Sequence, residues 1–121
     1  MKLQRLAQSF KDAWKGVSYT YQYEQNFRIQ VFVSIIVLLA AELFNLAVSE
    51  KIVVLMLVLL VIILELINTA VEKFLDLIKP RFDMQVEVVK NIMAAAVFVA
   101  SFVAVVVGLV VFTPHIVELV V

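Results

Sequence analysis

The chain has 121 residues, 64% of them apolar and 17% charged, and ten basic side chains balance ten acidic ones. Its mean hydropathy is +1.08, well above that of a soluble domain, which is roughly half apolar. Zero formal net charge argues against a nucleic-acid partner, which needs a basic surface, and the absence of cysteine excludes disulfides and thiolate metal sites. Two glycines and two prolines leave little material for tight turns, so the composition points to helices. No apolar core with a cleavage site follows the basic N-terminus, and no removable signal peptide is expected. The length suits a single membrane domain, with no visible repeat or linker.

In residues 3–21, Leu3, Leu6, Phe10, Trp14, Val17 and Tyr21 fall within about 60° of Leu3 on a helical wheel, with Arg5, Lys11, Asp12 and Lys15 elsewhere. A soluble bundle could use such a stripe. Beside such apolar neighbours, segment 1–25 reads better as an interfacial helix whose basic face favours anionic headgroups. Residues 27–48 form the first spanning candidate, about 33 Å long as a helix. Ser49 is expected to cap the next helix, with Glu50 in its first turn. Residues 52–78 form the second span, and Lys79 to Asp83, with Pro80, a loop. The third span covers 86–112 and is expected to stop at Thr113 and Pro114. His115 lies beyond it and receives no role.

Basic residues set the orientation. Lys2, Arg5, Lys11, Lys15, Arg28, Lys73, Lys79, Arg81 and Lys90 lie toward one surface and only Lys51 toward the other. The N-terminus and second loop should therefore be cytoplasmic and the C-terminus outside. Glu42 falls at the outer interface. Ala96, Ala100, Ala104 and Gly108 recur at every fourth position of the third span, a seam on which another helix can pack closely in lipid. Three spans bury little surface alone, so an oligomer is expected.

The chemistry gathers in the second span. Glu65, Asn68, Glu72 and Asp76 lie at about 0°, −60°, −20° and +20° on the wheel, and Glu65 follows the unbroken apolar run Ile52 to Leu64. A carboxylate at such depth costs about 2.5–3.5 kcal/mol on insertion scales and is functional by default. Clustered carboxylates want a divalent cation or bound protons. Glu24 before the first span and Lys90 at the start of the third bring further polar groups to the same level. Carboxylates with a lysine suit a magnesium–nucleotide site. Blander readings stand beside this one: Asp76 and Lys73 as solvated residues of an emerging helix, and Glu24 with Arg28 as a surface ion pair. No GxxxxGK[ST] loop occurs, so phosphates would be held through metal and side chains. No HExxH or Glu-x-x-His pair occurs either.

The run Glu65-Leu-Ile-Asn68-Thr-Ala-Val-Glu72-Lys-Phe-Leu-Asp76 resembles the E-x-x-N-[ST]-A-[IV]-E-x-x-x-D signature of the prokaryotic diacylglycerol kinase family, which includes the undecaprenol kinases. Arg5 with Ser9-Phe10-Lys11-Asp12-Ala13-Trp14-Lys15-Gly16 resembles the family's surface helix, and Glu24-Gln-Asn26-Phe-Arg28-Ile the entry to its first span. The resemblance implies an all-α integral membrane protein, with an N-terminal amphipathic surface helix plus three transmembrane helices in a homotrimeric bundle, in the bacterial inner membrane. It implies Mg2+ and ATP, with a lipid alcohol as acceptor. Glu65 would be the catalytic base, and Glu24 and Glu72 would hold metal. Arg5, Asp12, Glu24, Glu72, Asp76, Lys90 and Asn91 would form the ATP site, and Asn68 and Arg28 would position the substrate.

Three positions depart from the family pattern. Its Lys-Asp is Lys90-Asn91, its Glu-Tyr-His loop is Arg81-Phe82-Asp83, and a tyrosine of its surface helix is Asp12. Asn91 can hydrogen-bond but carries no charge. Asn26-Phe27-Arg28-Ile29 and the Pro114-His115 ending are closer to the undecaprenol kinases, which favours undecaprenol over diacylglycerol as acceptor. Two alternatives stay open: a catalytically weakened kinase-like protein, and a small proton- or cation-coupled transporter using Glu65.

Overall fold

The computed structural model describes residues 2–78 and 83–121, which form four helices. These are α1 (Lys2–Tyr23), α2 (Gln25–Leu43), α3 (Val48–Ile78) and α4 (Met84–Val120). The last three are long and apolar enough to cross a membrane. α3 is the central helix, with α2 and α4 packed on it and α1 resting against the ends of α2 and α3. Of the loop expected from Lys79 to Asp83, only Asp83 lies among the described residues. It caps α4, its Oδ1 accepting from the Gln85 amide at 2.8 Å.

α1 shows why the apolar stripe is read as interfacial. Leu3 and Trp14 are 80% and 70% exposed, so the rest of the chain leaves this face uncovered. The helix breaks at Glu24, whose backbone is extended at φ −112° and ψ 108°. Arg28 secures the break. Its Nη1 donates to the carbonyls of Tyr21 and Gln22, both at 2.8 Å, satisfying acceptors that the helix end leaves open.

Three boundaries differ from the sequence-based expectation. The first span ends at Leu43 rather than at residue 48, because Asn45 takes the left-handed conformation at φ 55°. The Leu46 amide then donates to Ala41 O and the Asn45 amide to Glu42 O, at 3.1 and 3.2 Å, which closes a Schellman turn. Ala41 and Leu46, with Val54 of α3, form a buried cluster at this end. Ser49 is not the cap of α3, which has already begun at Val48. Glu50 reaches back instead, its Oε1 accepting from the Ala47 amide at 2.9 Å.

The third difference is larger. α4 passes through Pro114 and continues to Val120. Proline removes one donor, yet membrane helices tolerate it where side chains and neighbours re-satisfy the freed groups. Here Thr113 Oγ1 donates to Leu109 O. Phe112 packs edge-on against Phe44, and His115 Nε2 bonds Glu50 Oε1 at 3.0 Å. The final turns are thus tied to α2 and α3, and His115 has a structural partner that the sequence reading did not assign.

Candidate active site

Polar groups converge at the opposite end of the bundle, where α1 meets α2 and α4 begins. Each helix buries a residue here: Thr20, Phe27, Thr69 and Val86. Glu65 is 3% exposed, at a depth where α3 faces α2. Gln30 of α2 donates from Nε2 to Glu65 Oε2 at 3.4 Å. Thr69 Oγ1 donates to the Glu65 carbonyl at 3.0 Å, so a buried hydroxyl is satisfied within the helix. The carboxylates of Glu24 and Glu72 are the charges that act on Glu65 through space.

One turn further along α3, Asn68 Nδ2 donates to Glu72 Oε1 at 3.5 Å, a long contact. Beyond it, Lys90 of α4 forms an ion pair with Asp76 Oδ1 at 2.8 Å, closing α3 to α4. Two buried acceptors in this region lack a partner among the described residues, Gln30 Oε1 and Asn68 Oδ1. An unsatisfied buried carbonyl is costly, so each oxygen suits a donor or a cation.

A groove of about 550 Å³ opens between α2 and α4 over the face of α3. Val58, Gly108 and Phe112 give it apolar walls, while Gln30, Ser34 and Ser101 are its polar members. Gln30 therefore touches both the groove and Glu65. The small-residue seam of α4 divides in use: Ala100 is buried, while Ala104 and Gly108 line the groove.

The fold brings Glu24, Glu65, Asn68, Glu72, Asp76 and Lys90 to one end. It does not bring Arg5 and Asp12 there. These stand about 28 and 18 Å before Glu24 along α1, exposed, with Asp12 accepting from Gln8 Nε2 at 2.9 Å. Arg28 spends its guanidinium on the end of α1, and Asn91 is exposed beside Lys90. Among the described residues, no three acidic or histidine side chains gather tightly enough to make a closed cation cage. Gln30 was missed in the sequence. Its signal was an amide just inside an apolar helix, which lipid cannot leave unsatisfied.

Three apolar helices with a polar cluster at one end define a small polytopic membrane protein. The model of the family described as prokaryotic diacylglycerol kinase matches residues 11–112. The chain belongs to that family. It is similar to a diacylglycerol kinase of Synechocystis sp., 40% identical over 101 residues, which cover 83% of this chain and 58% of that protein. It is also similar to the undecaprenol kinase of Bacillus subtilis, 31% identical over 113 residues, covering 93% of this chain and 92% of the relative.

Proposed function

We propose that this protein is a lipid kinase that transfers the γ-phosphoryl group of ATP to the hydroxyl of a membrane lipid alcohol. One observation carries the reading. The buried carboxylate of Glu65 is bonded to Gln30, and Gln30 lines an apolar groove. A lipid alcohol lying in that groove would bring its hydroxyl to the end where Glu24, Glu72 and the Lys90–Asp76 pair stand.

In this reading Glu65 takes the proton of the lipid hydroxyl as its oxygen attacks the γ-phosphorus. The bond to the bridging oxygen breaks, and ADP leaves. Such a loose transition state needs positioning and charge neutralisation more than covalent help. Gln30 Nε2 holds the carboxylate in place. Glu24 and Glu72 are the residues that would hold magnesium, with Asn68 Oδ1 as a spare oxygen beside them. Two carboxylates fit, because magnesium takes one or two from the protein and completes its shell with water and phosphate. When bound, the cation would neutralise phosphate charge.

Undecaprenol is favoured as acceptor over diacylglycerol on the Asn26–Ile29 segment, and the Bacillus relative covered over nearly its full length is named for it. A homotrimer would let the uncovered face of α1, with Arg5 and Asp12, reach the site of another subunit. The excess of basic residues around α1 and the polar end supports a cytoplasmic site and an external C-terminus in the bacterial inner membrane. The Asp76 carboxylate supplies Lys90 with an acidic partner despite Asn91, which favours an active enzyme over a weakened one. The transporter reading lacks support in the groove, whose far half has apolar walls.

The test is transfer of labelled phosphate from ATP with magnesium to undecaprenol or diacylglycerol by the purified chain. Labelled lipid well above a Glu65→Gln control is expected. No labelled product with either acceptor would end this reading.

A further inference from the structure

Lys73 has no part in the transfer described above. Lys73 lies on α3 between Glu72 and Asp76, outside the family signature quoted above, with its side chain exposed. Its ammonium stands 5.6 Å from the centroid of the Tyr19 ring on α1. Tyr19 in turn packs on Tyr23, with ring centroids 4.7 Å apart. The carboxylates that act on the Lys73 ammonium through space are Glu24 and Asp76. Lys73 thus sits between an aromatic pair from α1 and two acids of the site.

A lysine near a helix end ordinarily samples many rotamers, and holding it in one costs entropy. The Tyr19 side chain, through its hydroxyl and its ring, reduces that cost and fixes the direction of the charge. The charge balance at the site gives this direction a use. Lys90 is engaged with Asp76 at 2.8 Å, so its charge is largely offset before any ligand arrives. A polyphosphate entering between Glu24 and Glu72 would meet carboxylates first. Among the described residues, Lys73 is the cation on that flank.

We infer that Lys73, oriented by Tyr19, binds a phosphate of the nucleoside triphosphate and sets its affinity without altering the rate of transfer. The inference rests on the kinase reading. A lipid headgroup phosphate offers the same chemistry, so the experiment separates the two sources.

The full chain is placed in nanodiscs of phosphatidylcholine with a saturating concentration of the acceptor it phosphorylates, and rates are followed against MgATP. Lys73→Met should raise KM for MgATP about tenfold, the scale of one charge-assisted hydrogen bond, with kcat within about twofold of wild type. Lys73→Arg should restore KM. Tyr19→Ala should raise KM part of the way, and Tyr19→Phe, which keeps the ring but loses the hydroxyl bonded to the ammonium, should raise it less. An unchanged KM in Lys73→Met, in an active protein, overturns this inference and leaves the kinase reading intact. If Lys73→Met alters only the response to added phosphatidylglycerol, the ligand is a headgroup and the inference also falls. If the wild type binds MgATP without transfer, the same variants are read by Kd. A wild type that neither transfers phosphate nor binds MgATP sinks both readings.

Discussion

Gln30 and Glu65 meet across the interface of α2 and α3, amide Nε2 to carboxylate Oε2 at 3.4 Å, and that contact is a side-chain bond joining the two helices at the polar end. Removing the amide while keeping the carboxylate should cost more in chemistry than in fold. Gln30→Leu is expected to lower kcat about tenfold, since Glu65 loses the group that orients it, and to leave KM for ATP unchanged. Glu65→Gln should lower kcat by about 10²–10⁴, the usual contribution of a general base. Steady-state kinetics with labelled ATP would read both, with circular dichroism confirming helical content.

Gly108 tests what the groove is for. A methyl group at this position would meet nothing within 4 Å, so Gly108→Ala should be neutral in stability and rate. Gly108→Leu projects a large side chain into the groove. It should raise KM for the lipid acceptor several-fold and leave KM for ATP alone. An equal rise in both constants would mean that the substitution had disturbed the packing of α4.

The bond between His115 and Glu50 predicts a stability effect without a kinetic one. Glu50 Oε1 serves two donors, the Ala47 amide and the His115 ring, at 2.9 and 3.0 Å. His115→Ala removes one of them and should loosen the turns of α4 beyond Pro114. A lower thermal midpoint in detergent, with faster amide exchange over 113–120 and unchanged kcat, is the expected outcome. Unchanged exchange in that segment would show that packing of Phe112 on Phe44 suffices.

Asn45 holds the turn between α2 and α3 in the left-handed region, where a β-branched side chain clashes with its own carbonyl. Asn45→Val should destabilise by about 1–2 kcal/mol, while Asn45→Gly should be neutral or mildly stabilising. Denaturation in mixed micelles would rank the three chains.

The order and number of helices were legible because apolar runs of this length admit few other readings in lipid. Glu65, Asn68, Glu72 and Asp76 were legible for a similar reason: a helix has one period, so their spacing alone put them on one face. Gln30 was not, because its partner depends on how α2 is rotated and slid against α3, which no local pattern encodes. Pro114 misled for a related cause. A proline stops a helix in water, and only the contacts of Thr113 and His115 with other turns reveal that this one continues. Arg28 likewise reads as a charge near a carboxylate until the break at Glu24 shows which carbonyls need it.

The Gln30–Glu65 contact also fixes how far each helix rises past a common level. α2 begins five residues before Gln30, about 8 Å, whereas α3 runs thirteen residues beyond Glu65, about 20 Å. α3 therefore overshoots its neighbour by some 12 Å, and Glu72, Lys73 and Asp76 ride on that overhang. In the proposed reaction, depth would then sort the two reactants by solubility: the greasy alcohol would stay in the leaflet and the water-borne donor outside it.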